Sequence, residues 1–220
     1  MKRRILDEQL DLLRDKILLL GGATEAAVHR AMRSFTDRDS ELAKRVLEDD
    51  KIINRMELEI DQLSIEILVL YQPAAHDLRF VISVAKITPI LERIADHACN
   101  IAEAAILLSN EPPIKNYDEF PVMAATAAEM LRAALDAFTN EDAAVSREII
   151  KRDIEINTSY HRVVNELLDS MVHNPAGTPG AAHLLFVAKH LERIGDYVKD
   201  ICELNVYLSD AVFIKHSPRN

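Results

Sequence analysis

Apolar residues recur every three to four positions along nearly the whole chain, the period of a helix with one buried face. From Ile5 to Phe35 the stripe is Leu6, Leu10, Leu13, Ile17, Leu20, Ala27, Ala31 and Phe35, which predicts one long helix. Gly21-Gly22 weakens its middle by about 1 kcal/mol per glycine relative to alanine. A bend or a small-residue contact is expected there, rather than a break. Thr36-Asp37-Arg38-Asp39 reads as a stop and a new start, with Asp39 or Ser40 capping a short helix that carries Leu42, Val46 and Leu47. A second long helix is predicted from about Asp50 to Tyr71, ended by Pro73. Asp77 is expected to cap a third, kinked at Pro89 and reaching about Ser109.

The stretch from Asn110 to Pro121 is the only strong linker, and beyond it the same programme restarts. A long helix carries Met123, Ala127, Leu131, Leu135 and Phe138. A short one opens at Asn140-Glu141-Asp142, and another runs from about Asp153 to Val172. After a turn at Pro175 to Pro179, a last helix spans Ala181 to about Phe213. A shift of 103 positions pairs Ala31 with Ala134, Phe35 with Phe138, Asp39 with Asp142, Asp50 with Asp153 and Asn54 with Asn157. A shift of 100 pairs Leu91-Glu92-Arg93-Ile94-Ala95-Asp96 with Leu191-Glu192-Arg193-Ile194-Gly195-Asp196. The difference is placed at Thr88-Pro89-Ile90, beside the kink. So long a period exceeds a solenoid unit. It predicts an all-α fold of two pseudo-symmetric antiparallel three-helix bundles: residues 1–111, a linker at 112–121, residues 122–214, and a disordered tail at 215–220.

The repeated segment carries oxygen-bearing side chains four apart: Glu92, Asp96 and Asn100, then Glu192, Asp196 and Asp200. Residues four apart stack on one helix face, and like charges there repel by a few tenths of a kcal/mol per pair, roughly. Counting from each hairpin turn sets Asp50 beside Asp96 and Asn54 near Glu92, because both helices rise equally per residue. Asp153 and Asn157 stand the same way opposite Asp196 to Asp200. Three readings compete: a solvated polar face, ion pairs with Arg93 and Arg193, and an oxygen-lined cation site. Two matched ridges, each with an Asp and an Asn at the same hairpin depth, favour the third. The candidate metal ligands are Asp50, Asn54, Glu92, Asp96, Asn100, Asp153, Asn157, Glu192, Asp196 and Asp200. All-oxygen ligation suits iron, Mn²⁺, Mg²⁺ or Ca²⁺, and disfavours a structural zinc site.

Composition narrows the function. A net charge of −10 argues against nucleic acid and anionic lipid as partners. No apolar run is long enough to span a bilayer and no export signal is visible, so the chain is read as cytoplasmic. Cys99 and Cys202 do not occupy matching repeat positions and are read as buried free thiols of a reducing compartment. There is no Gly-rich phosphate loop and no GxSxG elbow. His97 follows the first ridge, but Tyr197 stands in its place in the second copy, so a shared ligand role is not expected of it.

The doubled Leu-Glu-Arg-Ile-(Ala/Gly)-Asp, the duplicated three-helix plan and the turn Pro73-x-x-x-Asp77-Leu78-Arg79 resemble the PhoU family of phosphate-transport accessory and phosphate-regulon proteins. The resemblance covers Ile5 to Phe213. It implies multinuclear metal clusters, of iron in some members, held by paired Glu/Asp-x-x-x-Asp motifs. It implies a cytoplasmic, homodimeric negative regulator, not an enzyme. The implied partners are the ATPase subunit of the phosphate ABC transporter and a phosphate-sensing histidine kinase, with the membrane reached only through them. Asn100 departs from Asp200, so weaker metal binding or a smaller cluster is expected in the first half. Two rival readings stay open: a helical scaffold without metal, and a di-metal carboxylate enzyme. The second is disfavoured because no Glu has a His three residues on.

Overall fold

The computed structural model describes residues 2–109, 111 and 119–214, and these residues form no β-strand. The predicted tail lies outside them, as does most of the predicted linker. Six α-helices follow one another: α1 (Lys2–Thr36), α2 (Ser40–Tyr71), α3 (Ala75–Ser109), α4 (Glu119–Thr139), α5 (Ala143–His173) and α6 (Thr178–Asp210). A single 3₁₀ turn, Pro175–Gly177, precedes α6.

Each predicted short helix proves to be the start of its longer neighbour. No Gly or Pro separates Leu47 from Asp50, or the corresponding segment of α5, so α2 and α5 run unbroken. The turns that open them are built alike. Arg38 and Glu141 both adopt positive φ, 56° and 53°. The next residue, Asp39 or Asp142, donates its backbone N–H five residues back, to Ser34 or Ala137. Its carboxylate then caps the helix, accepting from Leu42 N in one half and from Ala144 N and Val145 N in the other. Asp77 lies inside the first turn of α3 rather than ahead of it, where its charge faces the positive end of the helix. α3 also continues through Pro89.

α1, α2 and α3 pack on one another, as do α4, α5 and α6, giving the two three-helix bundles. Between the bundles, α3 packs on α6 and α1 on α4. Each of these helices therefore meets its own counterpart, as an approximate two-fold requires. One hydrophobic core runs through both halves. Phe35 meets Phe120 at 5.4 Å between ring centroids, and Phe80 meets Phe138 at 6.0 Å. α1 passes through Gly21-Gly22 intact, and the expected small-residue contact is real. A Cβ on Gly21 would lie 2.6 Å from Leu135 Cδ1 of α4, so a larger residue there would push the Leu135 side chain aside.

Burial fixes the register between halves. Phe80, Val81, Val84, Ile87 and Thr88 are buried, and so are Gly180, Ala181, Leu184, Val187 and Ala188. The shift of 100 thus holds well before the ridge. The three-residue offset lies at the start of α3 and not at Thr88–Ile90: the helix starts, Ala75 and Thr178, still differ by 103, so α3 runs three residues further ahead of the equivalent buried positions than α6 does.

Polar ties close one end of the molecule. Arg14 donates to the Thr139 carbonyl at 3.0 Å and packs its guanidinium over Phe80. His76 meets Glu141 at 2.6 Å. Buried Asn205 of α6 donates to the Ala137 carbonyl at 2.9 Å and to Ser146 Oγ at 2.8 Å, joining three helices of the second half. Asn205→Ala removes both buried bonds, leaving the Ala137 carbonyl only its bond from Asp142 N–H, and is expected to cost about 1–3 kcal/mol in urea unfolding. A change within about 0.5 kcal/mol would show that the tie contributes nothing.

Candidate functional site

The acidic ridges sit on α3 and α6, the central helices, each facing the preceding helix of its own half. In the first half, charge on Asp50 acts on both Glu92 and Asp96, as the hairpin count requires. The pKa of Glu92 is raised by burial, then by Asp96, Glu57 and Asp50. That of Asp96 is raised by burial and by Asp50. Asn54 donates to Asp50 Oδ2 at 2.9 Å, while Asn100 is exposed one turn beyond Asp96. Sequence reasoning missed Glu57, whose pKa is raised by burial, then by Asp61 and Asp96. The signal was present, since Glu57 lies three residues after Asn54 and so shares its face.

The second half repeats this plan with differences. Asp153 is 6% exposed, and Asn157 donates to its Oδ2 at 2.8 Å. Burial and then Asp196 raise the Asp153 pKa, and Lys199 offsets part of the rise. A Cβ on Gly195 would fall 2.8 Å from Ile156 Cδ1, so the side chain of Ile156 on α5 packs directly over this glycine beside Asp196. Two ridge acids carry ion pairs: Lys189 with Glu192 at 2.6 Å, and Arg193 with Asp196 at 3.2 Å. Arg193 makes its pair three residues along its own helix and needs no other helix to do so. Ion pairing thus holds in part for the second ridge. Among the described residues no ion pair involves Asp50, Glu92 or Asp96.

Three buried oxygens in these clusters have no hydrogen-bond partner: Oδ1 of Asp50, of Asn54 and of Asp153. Each such atom costs about 1–3 kcal/mol when left unsatisfied. Among the described residues, no three His, Cys, Asp or Glu side chains form a group arranged to hold a metal ion as they stand. Buried orphan oxygens among acids of raised pKa nevertheless match the donor set of a hard cation.

The residues after the ridge acids meet across the α3–α6 seam. His97 stacks on Tyr197 at 5.6 Å and bonds His190 Nδ1 to Nδ1 at 2.9 Å. Burial, then His190, then Arg193 and Lys189 bring the His97 pKa down to about 4, so the imidazole is neutral at physiological pH. Cys99 is half-buried beside the first ridge, and burial followed by Asp50 pushes its pKa up to about 12. Cys202 is buried in the core.

A duplicated six-helix bundle, with a carboxylate ridge on the third helix of each half, defines this chain's class. The PhoU domain family matches residues 17–105 and 120–204, one repeat in each half, and the chain belongs to that family. It is 33% identical over 209 residues to the phosphate-specific transport system accessory protein PhoU homolog of Aquifex aeolicus, covering 95% of each chain. It is 31% identical to phosphate-specific transport system accessory protein PhoU of Escherichia coli, covering 94% of this chain and 86% of that one. The crystal structure of PhoU from Pseudomonas aeruginosa superposes with a TM-score of 0.91 at 35% identity, covering 94% of this chain and 99% of that one. The PhoU structure from Streptococcus pneumoniae gives 0.90 at 28% identity, covering 96% and 99%.

A carboxyl whose folded-state pKa is raised destabilises the fold when ionised. That penalty fades as pH falls through the raised value and is absent below the ordinary aspartate value of 3.8. Asp96→Asn in metal-free protein is therefore expected to raise the thermal midpoint at neutral pH by about 1–2 °C. The gain should vanish on acidification toward 3.8. A midpoint difference that does not change with pH would show that Asp96 carries no repulsion.

Proposed function

We propose that this chain is a metal-binding regulator of phosphate uptake that signals by contact and catalyses nothing. Family membership across both halves carries this reading, joined to the two ridges. The relatives' names support the coarser statement, an accessory role in phosphate transport. The finer reading is a cytoplasmic homodimer that represses the phosphate regulon through the transporter's ATPase subunit and a phosphate-sensing histidine kinase. No helix among the described residues is long and apolar enough to cross a membrane, in keeping with a membrane reached through partners.

The outer helices support a docking role. Ile65 and Val69 of α2 are exposed, and so is Val172 of α5, with Leu168 beside it. The shift of 103 pairs Ile65 with Leu168 and Val69 with Val172, so both halves turn equivalent apolar side chains outward. Exposed apolar helix faces of this kind fit partner recognition.

A bound cation would be held by Asp50, Asn54, Glu92, Asp96 and Asn100 in the first half and by Asp153, Asn157, Glu192, Asp196 and Asp200 in the second. Its charge would offset the repulsion among these acids, fastening α2 to α3 and α5 to α6. The metal-free scaffold reading draws support from the ion pairs on the second ridge. The di-metal enzyme reading draws none, since His97 and His190 bond each other.

Elemental analysis of protein purified without chelator is expected to find metal, and the double variant Asp96→Ala, Asp196→Ala to lose it. The same metal content in both would refute the ligand assignment. Deleting the gene is expected to switch on phosphate-scavenging genes in phosphate-replete medium, and the protein to co-purify with the ATPase or the kinase. Normal repression with neither partner captured would overturn the regulatory reading.

A further inference from the structure

We propose that the outer face shared by the first half of α1 and the second half of α2 docks an amphipathic helix, rich in Lys and Arg, of a partner protein, and that the equivalent face of α5 does not. This deepens the reading of the outer helices as docking faces, and rests on it.

Along α2, Leu58, Gln62, Ile65 and Val69 follow one another at alternating steps of four and three, and all are exposed. Helices that lie along one another bury residues at this spacing. Ile65 is 62% exposed and Val69 65%, so their own bundle leaves the seam in water. α1 runs antiparallel to α2, tied to it by Arg30 with Asp49 and by Lys16 with Glu59, both at 2.7 Å. The first half of α1 therefore lies along the second half of α2. Leu12, one turn before Lys16 on the same face, is exposed too.

Charge selects the partner. From residue 56 to 71, α2 carries Glu57, Glu59, Asp61 and Glu66 and no Lys or Arg. Residues 5–16 of α1 add Asp7, Glu8, Asp11 and Asp15 against Arg14 and Lys16. Both of these cations are engaged, Lys16 with Glu59 and Arg14 with the Thr139 carbonyl of α4. Among the described residues Asp61 and Glu66 form no ion pair. Toward the start of α2 the same seam turns basic at Arg55 and Lys51, which bounds the acidic stretch. The second half does not repeat it. The shift of 103 carries Lys16 to Glu119 and Glu59 to Arg162, and these two pair with their signs exchanged. Glu57 and Asp61 become Tyr160 and Val164. Both halves thus share the apolar seam, and only the first rims it with acids. Apolar contact supplies most of the affinity of such a face, and the charge of its rim chooses among partners.

The test is fluorescence anisotropy of a labelled peptide of Leu and Lys, about 18 residues long with its Leu on one helical face, added to the full-length protein at physiological ionic strength. The controls are a peptide of the same composition in scrambled order and one with Glu in place of Lys. The Leu/Lys helix is expected to bind about tenfold tighter than either control. Ile65→Ser with Val69→Ser is expected to weaken it about tenfold, whereas Leu168→Ser with Val172→Ser leaves it within about twofold. Glu66→Gln is expected to weaken it and to flatten its dependence on salt. These side chains are exposed, and circular dichroism confirms the fold of each variant. Equal binding of the scrambled peptide, tighter binding of the Glu peptide, or equal loss in the two double variants overturns the proposal. A fall from dimer to monomer on sedimentation of the Ile65→Ser, Val69→Ser protein also overturns it, by assigning the face to a second copy. All of these outcomes are read on purified protein, apart from repression in the deletion strain, which tests the regulatory reading by itself.

Discussion

Each of these helices has one apolar face too long to leave in water, and burying all six faces at once decides the architecture. α3 buries 15 residues and α6 buries 14, against seven each for α2 and α5. The two ridge helices are therefore enclosed by their own bundle and by each other. Small residues make this possible: Ala95, Ala98 and Ala102 on α3, Ala188 and Gly195 on α6. Acids where two helices of one half face each other lose solvent to the facing helix. Burial is accordingly the first cause of the raised pKa of Glu92 and Asp96 on α3 and of Asp153 on α5.

Most of the fold was legible because its signals are local and repeated. Helical periodicity, the Asp39 and Asp142 caps and the two hairpins depend on residues close in sequence, and the duplication states each of them twice. Two details were misread for a physical reason. The short segments before Asp50 and Asp153 seemed separate helices because a cap was taken as a boundary on both sides. The register offset was placed at Pro89 because proline suggested irregularity, whereas the end of a helix takes three extra residues more readily than its packed middle does.

The site was legible in outline and less so in charge. The pairing of Asp50 with Asp96 and Glu92 followed from equal rise along two antiparallel helices. Glu57 was overlooked because its counterpart, Tyr160, broke the repeat that guided the search. Lys199 was overlooked for the same reason, since Cys99 occupies its place. A search for symmetry finds the shared scaffold and passes over the residues that make the halves differ.

The seam between α3 and α6 also speaks to history. Where two copies of one repeat associate symmetrically, a residue near the axis meets its own duplicate or a fixed partner, and every substitution appears on both sides. Here His97 bonds His190, while the residues equivalent to them, Tyr197 and Ile90, do not form a matching pair. Two repeats that share one chain are open to such a contact, because each can change without the other. The hydrogen bond needs one proton between two facing nitrogens, so even its protonation is lopsided. Within one chain the two repeats need not carry identical residues, and at this seam they do not.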